Sequence, residues 1–115
     1  MSQRTERVQK LARQVLGEAI HDLKDPRVGF ATVTAVRISA DLRHARVYVS
    51  VLGSEEEQTQ TMKGLESAKP HLRQELGRQI RMKYLPELHF VADHQAEEAE
   101  HLEELIRRLH DGDER

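Results

Sequence analysis

Apolar residues recur at three- and four-residue steps near the start of the chain. Val8, Leu11, Ala12, Val15, Ala19 and Leu23 form one stripe, which predicts an amphipathic helix over residues 5–23. Thr5 or Ser2 is the expected N-cap. Arg7, Lys10 and Arg13 fall on the opposite face, with Arg4 nearer the stripe's edge. Lys24-Asp25-Pro26-Arg27 ends the helix, because proline has no N–H to continue it and disfavours helical geometry at the residue before it. The pattern then changes to one rich in Val, Thr and Ile over residues 28–39, which reads as a strand. Strict alternation places Phe30, Thr32, Thr34, Val36 and Ile38 on one face, and Ala31, Val33, Ala35 and Arg37 on the other. A short link, Ala40-Asp41-Leu42-Arg43, leads to residues 44–52. There Ala45, Val47, Val49 and Val51 alternate with polar or exposed positions, giving a half-buried strand antiparallel to the first.

Ser54 and Glu57 have capping-box spacing and open the next helix, and Glu55, Glu56 and Glu57 suit its N-terminal dipole. The apolar stripe Leu65, Ala68, Leu72, Leu76 and Ile80 runs across Pro70, so two helices joined at a kink over Ala68, Lys69 and Pro70 are expected. Leu85-Pro86 is expected to stop the second. Residues 87–93 read as a third strand, with Leu88, Phe90 and Ala92 on one face. A last helix is expected roughly from Ala96 to His110, with Leu102, Leu105, Ile106 and Leu109 as its narrow stripe. This order predicts an α+β sandwich of one three-stranded sheet packed on helices. The expected division is a domain over residues 1–94 and an acidic helix and tail over 95–115.

Composition narrows the function classes. The 115 residues supply one core's worth of apolar side chains. There is no cysteine, which excludes thiolate metal sites and cysteine nucleophiles, and fits a reducing cytosol. Only four residues are aromatic, which disfavours modules that stack successive bases. No leader or membrane-spanning segment is visible, so a cytoplasmic protein is expected. The net charge of −2 hides an asymmetry: about +3 over residues 1–94 and −5 over residues 95–115. A basic body with an acidic appendage points to a polyanion-binding surface.

No nucleophile elbow, phosphate loop, dinucleotide fingerprint or zinc-protease motif occurs. Glu98-Ala99-Glu100-His101 is the nearest metal motif, but one copy on an acidic helix does not make a di-metal site. His89 and His94 flank the third strand without evident ligand spacing. No metal, no cofactor and no catalysis are therefore expected. The better candidates are cations off the apolar stripes: Arg4, Arg7, Lys10, Arg13, Lys24, Arg27, Arg43, Arg46, Lys69, Arg73, Arg78, Arg81 and Lys83. Guanidinium groups fork onto phosphates, and backbone-directed binding of structured RNA needs such groups and few aromatics.

Several segments resemble the bacterial ribosome-binding factor A family. These are Lys24-Asp25-Pro26-Arg27 with Val33-Thr34, the run Ser39-Ala40-Asp41-Leu42-Arg43-His44-Ala45-Arg46-Val47-Tyr48-Val49-Ser50, Leu72-Arg73-Gln74-Glu75-Leu76, Arg81, and Pro86-Glu87-Leu88-His89-Phe90 with Asp93. The similarity covers about residues 5–109. It implies a KH-like fold of type II topology, αββααβ with a C-terminal helix. KH domains of the ribosome use a GxxG loop between helices, and no two glycines here are three apart. The family has an Ala-x-Gly kink at that junction, where this chain has Pro70 in the third position. The resemblance implies a non-enzymatic, monomeric assembly factor that binds the free 30S subunit and 16S rRNA. It also implies help in late 30S maturation and 16S 5′-end processing, and support of growth in the cold. The alternative, from another class, is a protein-interaction module that docks a partner through the amphipathic C-terminal helix. A metal-dependent enzyme is a distant third.

Overall fold

A computed structural model describes residues 3–94 and 104–109. The order is α1 (Gln3–His21), β1 (Ala31–Ile38), β2 (His44–Val51), α2 (Glu55–Ser67), α3 (Lys69–Gln79) and β3 (Glu87–Ala92). The sheet runs β1-β2-β3. β1 and β2 are antiparallel across their short turn, and β2 and β3 are parallel because the α2–α3 pair carries the chain back between them. The helices cover one face, where Val36, Val47, Val49 and Leu88 of the sheet meet Leu16, Leu65, Leu72 and Leu76 with no exposure above 2%. Among the described residues, no helix of the core packs on the other face of the sheet. The result is the α+β, KH-like sandwich of three strands on helices, in the αββααβ order.

α1 starts at Gln3, so Thr5 lies inside the helix and is not its cap, and Ser2 is outside the described residues. The buried stripe is turned relative to the simple pattern. Leu16 and Ile20 are core residues, whereas Leu11 is 44% exposed. Gln9 takes a core position because its Oε1 accepts a hydrogen bond from the Ile38 N–H at 3.0 Å, tying α1 to the end of β1.

β1 departs most from the expected alternation. The register slips between Val33 and Ala35, so Thr34 is a bulge. Before it Val33 faces the core, and after it Val36 and Ile38 do. Phe30 is 80% exposed and lies before the strand, so it shares no face with Val36. The bulge is held by the Thr34 hydroxyl, which donates to Asp93 Oδ2 at 2.6 Å.

The capping box forms as the spacing predicts. Ser54 Oγ accepts from the Glu57 N–H, and Glu57 Oε1 accepts from the Ser54 N–H. Gly53 precedes it at φ +119, a conformation that side-chain-bearing residues resist. Ala68 ends α2 and starts α3 in ordinary right-handed geometry, φ −87, and Pro70 sits in α3's first turn. α3 stops at Gln79 and not at Leu85, since Ile80 is extended and buried. The reason is visible in the pattern: beyond Ile80 the stripe would continue at Lys83 and Tyr84, which are exposed. In β3, Leu88 is buried and Phe90 half-buried, but Ala92 is exposed at the sheet's end. Of the expected C-terminal helix, residues 104–109 are helical, with Leu105, Ile106 and Leu109 all exposed. Leu102, the Glu98–His101 motif and the rest of the tail lie outside the described residues.

Candidate nucleic-acid interface

The structure sorts the candidate cations by what each side chain already touches. Arg27 is committed internally: its Nη2 lies 2.6 Å from Asp25 Oδ2, and its Nε donates to Asp25 Oδ1 at 3.1 Å. The same carboxylate accepts the Arg27 N–H, so the Lys24–Arg27 turn is closed by one aspartate. The hydrogen bonds and positive charge of Arg27 hold the Asp25 carboxyl down at about 2, against an ordinary 3.8. Arg73 clasps the loop before β3, donating to the carbonyls of Pro86 and Leu85 at 3.0 Å each. Lys69 pairs with Glu66 at 2.7 Å and lies 5.8 Å from the Phe90 ring centre. Arg78 pairs with Glu75 at 3.5 Å along α3.

The others are exposed and have no ion pair among the described residues, and all but Lys24 fall into groups. On α1, Arg7, Lys10 and Arg13 share one exposed side. Lys10 and Arg13 also line a groove of about 420 Å³ between α1 and the free edge of β1, with Arg37 on its far wall. Arg4, Arg81 and Lys83 rim a smaller cleft of about 230 Å³ floored by Val8, Ile38, Leu42 and Met82. The early end of α3 makes this cleft: Arg81 and Lys83 are loop residues, free to meet Arg4, and not part of a Lys69–Lys83 helix.

The β1–β2 turn presents a third group. Asp41 Oδ1 accepts from Ser39 Oγ at 2.6 Å and from the Arg43 N–H at 3.1 Å, and the Ser39 bond chiefly lowers the Asp41 carboxyl below its ordinary range. Leu42 takes φ 65 to close this turn, a conformation that few leucines adopt. Arg43 then lies over Tyr84, 4.5 Å from the ring centre, with Lys83 at 5.5 Å.

The uncovered sheet face carries the most telling arrangement. Pairing sets Arg37 of β1 directly opposite Arg46 of β2, and Arg46 beside His89 of β3. Like charges directly opposite on a sheet destabilise it. Neither arginine has an ion-pair partner among the described residues, and Arg37 Nη1 reaches only the Val36 carbonyl, at 3.4 Å. Arg37 was not among the sequence candidates. Its signal was the alternation of β1 against β2, which becomes readable only once the bulge sets the register. A second group also escaped the sequence. His44 Nδ1 lies 2.9 Å from His89 Nε2 and 3.9 Å from Glu87 Oε2, brought together by the parallel β2–β3 pairing.

The fold defines the class: a KH-like α+β sandwich that, among the described residues, leaves one sheet face without a helix and clusters cations that have no ion pair. The comparisons with known proteins make the assignment particular. The sequence profile of the family Ribosome-binding factor A matches residues 4–106. The chain is 43% identical to ribosome-binding factor A of Chloroflexus aggregans over 109 residues, 93% of this chain and 86% of that protein. It is 44% identical to that of Dictyoglomus thermophilum over 111 residues, 95% of this chain and 92% of that protein. The crystal structure of ribosome-binding factor A from Thermus thermophilus superposes with a TM-score of 0.69 at 34% identity, covering 76% of this chain and 94% of that one. A Thermus thermophilus ribosome-binding factor A homology model, fitted into a cryo-electron-microscopy map of a 30S complex, superposes at 0.62 with 35% identity, covering 74% of this chain and 90% of that one. The chain belongs to the ribosome-binding factor A family.

Proposed function

We propose that this protein is a non-catalytic assembly factor that binds the free 30S subunit on 16S rRNA and assists its late maturation, including 5′-end processing of that RNA. The observation that carries the RNA reading is the Arg37–Arg46 pair, two cations opposed in strand register with no ion-pair partner among the described residues. Guanidinium groups without a neighbouring carboxylate are stabilised by an external anion, and phosphate is an anion their fork fits. Arg4, Arg81 and Lys83 around the apolar cleft, Arg43 over Tyr84, and Arg7, Lys10 and Arg13 on α1 extend the cationic surface around the molecule. Lys24 adds to it from the other end of α1, while Arg27, Lys69, Arg73 and Arg78 serve chiefly the fold.

The mechanism is electrostatic docking of a rigid sandwich on folded RNA, with the protein acting as a monomer in the cytoplasm. The 30S link rests on family membership and on the 30S complex of the Thermus relative. Co-sedimentation with 30S subunits against 70S ribosomes tests it, with Arg37→Glu/Arg46→Glu as the paired variant. Selective pelleting with 30S, lost in the charge-reversed protein while its fold persists, is the expected result. Equal pelleting with both particles, or no effect of the variant, refutes this docking face.

One observation favours a second reading. Leu105, Ile106 and Leu109 are exposed on a helical segment, as a partner-docking helix would present them. Under that reading, removal of residues 96–115 abolishes 30S binding while the sandwich stays folded.

A further inference from the structure

We propose that His44, Glu87 and His89 form a surface site for one divalent transition ion of the zinc type. One ligand atom from each residue lies within 4.8 Å of the other two. The fold places them there by register: His44 is paired with Glu87 across the parallel β2–β3 strands, and His89 stands two residues along β3 on the same face. The imidazoles face each other, with ring centres 5.1 Å apart and planes 34° apart, and their near nitrogens 2.9 Å apart.

A tetrahedral zinc site, with metal–ligand distances near 2.0–2.2 Å, puts its donor atoms about 3.3 Å apart. The two nitrogens are slightly closer than that, and Glu87 Oε2 is slightly farther from His44 Nδ1, at 3.9 Å. Rotation of the exposed His44 and Glu87 side chains about the half-buried His89 closes the difference. Two imidazoles and a carboxylate suit zinc and its neighbours, not magnesium, which prefers an all-oxygen shell. Three protein ligands leave a fourth position open to water. Arg46 stands beside His89 on the same face. Its positive charge and the missing fourth ligand set the affinity well below that of closed structural sites. Bound there, the ion pins edge strand β3 to β2. This site does not depend on the RNA reading.

The test is titration of the full chain with zinc sulfate, followed by calorimetry and by histidine side-chain NMR. One ion per chain is expected, with the His44 and His89 ring signals shifting together by one equivalent. Thermal unfolding should move upward with zinc, and magnesium in excess should not reverse it. Loss of even an outer-shell partner weakens metal binding roughly tenfold or more. His44→Ala and His89→Ala are therefore each expected to weaken zinc by at least that factor, and Glu87→Gln by less. His71→Ala and His101→Ala should leave it unchanged. Three results overturn the site. One is zinc affinity untouched in the His44→Ala/His89→Ala double variant. Another is affinity lost with His101→Ala, which puts the ion on the Glu98–His101 motif. The last is no shift of the two rings in the wild-type protein at saturating zinc, which leaves a histidine–histidine hydrogen bond only.

Discussion

A buried amide side chain persists only where it is bonded, and Gln9 is 5% exposed with its oxygen on the Ile38 N–H. Gln9→Leu keeps the volume but orphans that N–H, so a loss of about 1–3 kcal/mol is expected in denaturant unfolding. Gln9→Glu offers the same acceptor and separates hydrogen bonding from packing. Asp25 belongs to the same scale. Its folded carboxyl titrates near 2, below the ordinary 3.8, so the folded form keeps the charge to lower pH than the unfolded chain does. Its contribution to stability is complete above pH 3.8 and disappears as the pH falls towards 2. Asp25→Asn keeps an acceptor for the Arg27 N–H but removes the charge. The gap in melting temperature between wild type and variant should be widest near neutral pH and close towards pH 2; a gap independent of pH would mean that the Arg27 pairing contributes nothing.

Elements were legible in proportion to how local their causes are. The Ser54–Glu57 capping box and the break around Pro70 depend on residues a few positions apart, and both stand where the pattern puts them. The faces of β1 and the end of α3 did not follow so simply. A one-residue bulge inverts the strand's phase, and what holds it is Asp93, 59 positions away. The junction also shows why proline is acceptable there. Ala68 is right-handed, so no position at the junction needs positive φ, and Pro70 lies in a first turn whose N–H groups lack helical partners anyway. Pro70→Ala is therefore expected to leave thermal unfolding nearly unchanged while loosening the junction and lowering 30S co-sedimentation. Normal 30S binding by this variant would make the kink a packing feature alone.

At the scale of the molecule, the cations act together. If roughly four to eight phosphates are engaged, affinity for RNA falls with salt at a log–log slope of about −3 to −7. A slope near zero would refute electrostatic docking. The tail bears the opposite sign, −5 over residues 95–115. Its described helical part leaves Leu105, Ile106 and Leu109 exposed, and none of the three belongs to the core cluster. We propose residues 1–94 as the folding unit and the tail as an electrostatic competitor of RNA. Deleting residues 96–115 should preserve the cooperative unfolding transition and raise affinity for arbitrary RNA, most at low salt, where charges are least screened.

Order of elements, the Ser54–Glu57 cap, the kink, the buried face of β2 and the surplus of cations off the apolar stripes could all be read along the chain, because each rests on periodicity or on neighbours a turn away. Which cations remain available could not. Arg27 was drawn to Asp25 and Arg73 to the loop carbonyls of Leu85 and Pro86, while Arg81 and Lys83 left the helix to join Arg4. The row of Arg37, Arg46 and His89 and the cluster of His44, Glu87 and His89 exist only through strand register. Register is settled by the summed burial of a whole sheet face and by a bulge held from a distant aspartate, and neither is present in any short stretch of sequence.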